Sequence, residues 1–366
     1  MRILLVGEYS NVHWTLAEGL RELGHQVTVL SDGDIWKGYH RDINLKRKSL
    51  GRWDTLKYLW QLHRIWPTLK GYDIVQLINP VFLDLRAERI WAYYEKLRRQ
   101  NGKVVLGAFG VDYYWVFEGM KPETFRYSDF YLNGQLRHNR YNDEMIADWI
   151  DGYKGILNKQ IAEDCDAIVS GLYEYDVCYR PHFAHKTSFI PFPINCSSVT
   201  HVQGWHPGEK IRFFIGIQKT RNEYKGTDIM LRALETLQEK YPDRMEIIKA
   251  ESVPFHEYQK LMNDSHILLD QLYSYTPAMN ALNAMARRII VVGGGEEEQY
   301  KIIHENELRP IINVQPDMQD VISKLEGLIL NPHILPRLAD ESLEYIRRHH
   351  DHIHIAKKYE ELYKTL

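Results

Sequence analysis

Three cations, Lys219, Arg221 and Lys225, fall in the stretch Gly216 to Gly226, between an apolar run and a helical pattern. At the carboxyl end of a strand they could hold a diphosphate and stabilise it as a leaving group, because a fixed cation acts most where charge develops. A solvated basic loop would have the same composition. A second element, Gln271 to Ala286, begins where another apolar run ends and continues with helical spacing. Thr276 is expected to cap this helix and Pro277 to occupy its first turn, leaving free N–H groups and the positive dipole end for a phosphate. Ala278, Ala281, Leu282 and Met285 then make a core face, with Asn280, Asn283 and Arg287 on another side. The third element is Gly293-Gly294-Gly295-Glu296, where missing side chains would let a ligand approach the backbone. A flexible turn is the alternative.

These loops need a scaffold that brings strand ends to one edge. From Ile211 onward the sequence alternates: strands at 211–215, 245–249, 267–270 and 289–292, and helices at 227–240, 254–263 and 277–287. Such alternation predicts a doubly wound parallel sheet, which binds ligands beyond the carboxyl ends of its strands. The opening of the chain reads the same way, with strands at 3–6 and 26–30 around a helix ended by Gly24, and further strands at 73–78, 103–108 and 167–170. Helices are expected at about 87–100 and 146–164, and a last helix at about 336–363. The breaker-rich stretch from Pro191 to Gly208 is the expected linker. The resulting division is a first domain at 1–195, a second at 196–345, and a terminal helix at 346–366 that crosses back to the first.

The run from Ile211 to Glu298 resembles the donor-binding domain of GT-B glycosyltransferases, particularly glycosyltransferase family 4. Lys225-Gly226 matches the end of that family's basic loop, Asn283-Ala284-Met285-Ala286 nearly matches its Glu-Ala-Met-Ala helix, and Val291-Val292-Gly293-Gly294 matches its strand and glycine turn. Gly24 to Val29 and Asp73 to Gln76 resemble its opening strands. The resemblance implies two Rossmann-like domains facing a central cleft, a nucleoside-diphosphate sugar as substrate, no bound cofactor or metal, and a retaining outcome. Both glutamates of the family's Glu-x7-Glu motif are replaced, by Tyr275 and Asn283. Asn283 could still hydrogen-bond a ribose, whereas Tyr275 supplies no charge. Glu296 and Asp270 are candidate carboxylates near the cleft.

In the first domain Asp112 follows a strand and resembles the family segment that faces the reacting sugar, which makes it a candidate for acid–base or positioning work. A helix cap is the competing role. Glu8 in the first loop is expected on the acceptor side, with Tyr113 and Tyr114, whose aromatic faces suit sugar rings as well as a core. Between Trp36 and Lys70, nine Lys and Arg residues face only Asp42 and Asp54 and are interleaved with tryptophans. Such a mix could rest on an anionic membrane bearing a lipid-linked acceptor, form a solvated helical face, or bind an anionic acceptor.

Other signals carry less. Asp32-Gly33-Asp34 sits in an expected turn, the histidines from 349 to 354 lack an intervening Glu, and the Gly7 loop lacks the dinucleotide fingerprint. A net charge of -3 gives no global pull toward nucleic acid. Three cysteines without close pairs suggest a reducing compartment, and the short apolar opening reads as a buried strand rather than a signal segment. No stretch approaches the roughly 20 apolar residues of a spanning helix. The expected protein is a cytoplasmic glycosyltransferase, in contact with membrane at most peripherally, making a polysaccharide or glycoconjugate. Lys225 joins Asp112 as a catalytic candidate. The alternatives are a nucleotide-sugar epimerase and a non-catalytic subunit that binds a sugar nucleotide or glycan.

Overall fold

The structure, a computed structural model, describes residues 1–35, 37–200, 202 and 204–366. Trp36 of the basic segment, and His201 and Gln203 of the expected linker, lie outside the described residues. The strands, in chain order, are β1 (Arg2–Val6), β2 (Gln26–Ser31), β3 (Ile43–Asn44), β4 (Ile74–Leu77), β5 (Lys103–Ala108), β6 (Tyr131–Leu132), β7 (Gln135–Leu136), β8 (Ala167–Ser170), β9 (Thr187–Phe189), β10 (Ile211–Ile217), β11 (Met245–Glu251), β12 (Ile267–Leu269), β13 (Ile290–Gly293) and β14 (Ile312–Asn313). They divide between two compact units. One comprises 1–118, 144–193 and 352–366, and the other 119–143 and 194–351. Residues 119–143, which precede β8 in the chain, thus cluster with the second unit.

The first unit is a seven-stranded parallel sheet ordered β3-β2-β1-β4-β5-β8-β9. The chain winds outward from β1 in both directions, so the switch point falls between β1 and β4. Ile3, Leu4, Leu5 and Val6 are all buried, as an apolar strand covered on both faces must be. The last helix, His352–Thr365, packs against Val12–Glu22, and a Cβ on Gly19 would come within 2.5 Å of the His352 carbonyl oxygen. Only glycine permits that approach. The C-terminal helix is not continuous over 336–363. It divides into Leu335–His349 and His352–Thr365, with the His350 carbonyl between them accepting from Ile194 N at 2.7 Å. The expected helix at 146–164 is likewise interrupted, by a π turn at Ala147–Asp151.

The second unit carries a five-stranded parallel sheet ordered β11-β10-β12-β13-β14, with its switch point between β10 and β12. Helix Thr227–Lys240 buries Met230, Ala233, Leu234 and Leu237 at i, i+3, i+4 and i+7 against this sheet's core. Each fully buried leucine contributes roughly 1.5–3 kcal/mol of apolar transfer. Within the same unit β6 and β7 form a hairpin, and Asn133 (φ 51°) and Gly134 (φ 81°) turn it with the two left-handed residues that a tight hairpin loop requires.

Candidate functional site

At the switch point of the second unit the strand ends place charged and polar groups side by side. Asp270 follows β12 and is buried. Its Oδ1 accepts from Asn280 Nδ2 at 3.0 Å, and Asn280 Oδ1 accepts from the Tyr258 hydroxyl at 3.0 Å. Burial raises the Asp270 pKa, opposed by the Lys225 charge and by hydrogen bonds from Asn280 and Gln271. Lys225 is half-buried, and the αL glycine that follows it, Gly226, ends its short helix. Lys225, Asp270 and Asn280 therefore form one electrostatic group where a doubly wound sheet takes its ligand. Tyr258 was not indicated by the sequence, since its helix showed only ordinary amphipathic spacing.

The other cations are arranged differently. Residues 219–225 fold into a 3-10 turn and a four-residue helix rather than an open loop. The Lys219 side chain is 73% exposed and lies 3.6 Å from Glu251. The Arg221 guanidinium lies over the rings of Tyr141 and Tyr224, at 4.8 and 5.2 Å from their centroids. The helix expected from Pro277 begins at Met279, with Ala278 as its N-cap and no side-chain cap, so Thr276 does not have the capping role. The extended backbone at Ala278 accounts for the later start, since a helix cannot include it. Asn283 donates to the Met279 carbonyl of its own helix at 2.7 Å and is not drawn into the Asp270 group.

The glycine turn is packed by protein. A Cβ on Gly294 would lie 2.3 Å from the Ser274 carbonyl oxygen, and one on Gly293 would lie 3.2 Å from that of Gln271. The missing side chains let two chain segments approach each other, rather than a ligand. Glu296, at the start of the next helix, is buried. Its carboxylate accepts from the Tyr127 hydroxyl (2.7 Å), Asn313 Nδ2 (2.9 Å), Gln315 Nε2 (2.6 Å) and Arg126 Nη2 (2.8 Å). Burial alone would raise its pKa, but these donors and the Arg126 charge outweigh burial and hold it below the usual range.

Arg126 and Tyr127 belong to a strap, residues 119–143, that covers the loops of this unit. Tyr275 lies beneath it, with Tyr127 and Phe125 ring centroids 4.8 and 5.6 Å away and its hydroxyl accepting from Arg126 N at 2.9 Å. Arg126 also pairs with Glu298. Further along, the Asp129 carboxylate accepts from the Tyr224 hydroxyl at 2.6 Å, and Arg137 donates to the Glu223 carbonyl at 2.6 Å. Burial pushes Asp129 up to about 6, against the pull of the Tyr224 hydrogen bond and of Arg137, Arg221 and Lys225. The strap was not read from the sequence, where residues 119–143 fall within the expected first domain at 1–195.

In the first unit a cavity of about 430 Å³ opens at the carboxyl ends of β1, β2 and β4. Glu8 lines it, with its carboxylate accepting from Trp14 N at 2.9 Å and His13 N at 3.3 Å, and burial pushes its pKa up to about 8. Asp34, which also lines the cavity, is tied to Ser10 N at 2.8 Å and to the Lys37 ammonium at 2.7 Å. Tyr113 and Tyr114 do not line it. Tyr113 stacks on Phe117, and Tyr114 is buried among Tyr179, His182 and Phe183.

Asp112 is a buried cap. Its Oδ1 accepts from Trp115 N at 2.9 Å, three residues into the helix, and its Oδ2 from the Tyr179 hydroxyl at 2.7 Å. At 0% exposure the structure gives it this role rather than one at a reacting sugar. Burial pushes it up to about 7 despite the hydrogen bonds. A carboxyl raised in this way contributes stability that is full below its ordinary pKa and is lost as pH rises through the folded value. Melting temperature should therefore fall as pH rises from about 4 to about 7, and fall less steeply in Asp112→Asn, which retains a capping oxygen. Equal slopes for the two proteins would exclude this linkage.

Among the described residues no group of three or more His, Cys, Asp or Glu side chains gathers to hold a metal. The C-terminal histidines are separated by the break between the last two helices. His349 meets Glu305 at 2.7 Å, and His352 meets Glu22 at 3.3 Å.

No protein-family model and no curated protein sequence matches the chain. Solved structures do match it. Sucrose-phosphate synthase from Thermosynechococcus elongatus is similar over 100% of this chain and 98% of its own, at 15% identity and a TM-score of 0.64. HepE from Anabaena in complex with UDP-glucose is similar over 100% of both chains, at 11% identity and a TM-score of 0.60. The catalytic domain of starch synthase IV from Arabidopsis thaliana, bound to ADP and acarbose, covers 100% of this chain and 98% of its own, at 10% identity and a TM-score of 0.59. Two Rossmann-like units, matched over the full chain by these proteins, define the GT-B fold. At such identities the likeness extends to the fold and no further.

Proposed function

We propose that this chain is a glycosyltransferase of the family 4 type, moving a sugar from a nucleoside-diphosphate sugar to a glycan or lipid-linked acceptor. The observation that carries the reading is the Lys225, Asp270 and Asn280 group at the switch point of the second unit. During transfer an acceptor hydroxyl oxygen bonds to the anomeric carbon and its proton passes to a general base, while the bond between the anomeric carbon and the diphosphate oxygen breaks and the electron pair leaves with the diphosphate. Lys225 stabilises that charge, with Lys219 or Arg221 as the second cation. Asn280 offers hydrogen bonds to donor hydroxyls. The acceptor belongs to the first unit, where Glu8 lines a cavity and has the raised pKa that suits a general base near neutral pH. The resemblance favours retention of configuration, and a reducing cytoplasmic setting fits the three free cysteines.

A non-catalytic sugar-nucleotide-binding subunit is the second reading. It is favoured by the covering of Tyr275, at a motif glutamate position, by Phe125 and Tyr127 of the strap. Both readings require a nucleotide site. A thermal-shift panel of uridine, guanosine, adenosine and cytidine diphosphates and their sugars should contain one ligand that stabilises by about 2.7 kcal/mol at 100 times its dissociation constant. A flat panel removes both readings. Binding without turnover in the presence of candidate acceptors selects the second.

A further inference from the structure

Helix Arg52–Ile65 buries Tyr58 and Leu62 and turns its other side outward. Trp53, Leu56 and Trp60 lie at i, i+3 and i+7 and are 79%, 57% and 63% exposed. These positions share one face of a helix. Leu50, in the turn that leads into it, is 82% exposed. Large apolar side chains so grouped are unusual on a free surface and mark a site of contact.

The charges around this stripe identify its partner. Lys57 and Arg64 border it on one side, Arg52 on the other, and Lys48 precedes Leu50, while the Arg64 guanidinium lies 5.6 Å from the Trp60 ring centroid. Among the described residues none of Lys48, Arg52, Lys57 and Arg64 forms an ion pair, and the nearby acid Asp54 accepts from the Ser49 hydroxyl. An apolar stripe rimmed by unpaired cations is complementary to a surface that is apolar within and anionic at its boundary. Tryptophan suits that boundary, and long basic side chains reach outward from it to phosphate groups.

We propose that the Leu50 turn and the outward face of helix Arg52–Ile65 dock on an anionic lipid bilayer. Leu50, Trp53, Leu56 and Trp60 enter the headgroup and acyl boundary, while Lys48, Arg52, Lys57 and Arg64 meet lipid phosphates. The turn also forms part of the first unit's cavity, which Lys46, Arg47, Lys48, Ser49 and Leu50 line together with Glu8. A docked bilayer therefore lies beside that cavity, and if the transferase reading holds, a lipid-linked acceptor is presented there.

Co-sedimentation of the full chain with vesicles tests the surface. The protein should pellet with mixed phosphatidylcholine and phosphatidylglycerol vesicles, much less with phosphatidylcholine alone, and less again at high salt. Trp53→Ser combined with Trp60→Ser should weaken binding to the mixed vesicles roughly tenfold or more, and Lys57→Glu with Arg64→Glu should do so independently. All four positions are exposed, and an unchanged melting temperature verifies that each variant is folded. The proposal is overturned if the native protein stays in the supernatant with mixed vesicles, or if both double variants bind as it does. It is also overturned if the native protein is a dimer that the tryptophan variant converts to a monomer, which would make the stripe a contact between copies. Binding is read without nucleotide, so failure here leaves the transferase reading standing, and failure of nucleotide binding leaves the surface standing.

Discussion

Glu296→Ala is expected to lower stability by roughly 3 kcal/mol, because it leaves the buried Tyr127 hydroxyl and the half-buried Asn313 and Gln315 amides without this acceptor, at a cost of about 1–3 kcal/mol for a fully buried donor and less where water compensates. The half-exposed Arg126 adds little to that figure, since solvent screens its pair with the carboxylate. For a domain of this size the loss corresponds to a fall in melting temperature of about 6–12 °C. Glu296→Gln should lose less, because it keeps one oxygen for these donors. Limited proteolysis supplies a second readout. With its anchor removed, the strap should become cleavable between Gly119 and Asp143 before the sheets are. An unchanged melting temperature together with an unchanged cleavage pattern would show that Glu296 does not hold the strap.

Lys225→Ala should weaken binding of a nucleoside diphosphate by about 10- to 100-fold, the value of one charge-assisted hydrogen bond of roughly 1.5–3 kcal/mol. Binding of the corresponding nucleoside should change little. The comparison is needed because Lys225 also holds down the raised pKa of Asp270, and its removal could disturb the site as a whole. Calorimetric titration with both ligands separates the two effects. A selective loss for the diphosphate places the lysine at the phosphates, whereas equal losses for both ligands would leave it a structural counter-charge to Asp270.

Much of the scaffold was legible because it follows from periodicity. Apolar runs such as Ile3 to Val6 and Ile267 to Leu269 can be stable only when covered on both faces, and their alternation with amphipathic helices leads to parallel sheets. Lys225-Gly226 was readable only as the end of a basic loop; that the lysine is positioned by a four-residue helix ending at the left-handed Gly226 came from the structure. The helix start at Met279 was not readable. Thr276 and Pro277 have the right types for a cap and a first turn, but Ala278 is extended, and the bends before it pack Ser274 against Gly294 and Tyr275 beneath the strap.

What the sequence determined by itself was the pair of doubly wound sheets and the local chemistry of short segments: the cations between Gly216 and Gly226, the glycine turn, and the apolar and basic pattern around Trp53 and Trp60. Tertiary structure alone decided which of these groups meet. It brought Lys225, Asp270 and Asn280 together, enclosed Asp112 as a cap, and folded residues 119–143 onto the second unit, where Glu296 is held by four side chains. The reason is the range of the forces. Backbone conformation and apolar period act over a few neighbouring residues, whereas the partner of a buried carboxylate is chosen by whichever donor the fold brings within about 3 Å, here from as far as 170 residues away in the chain.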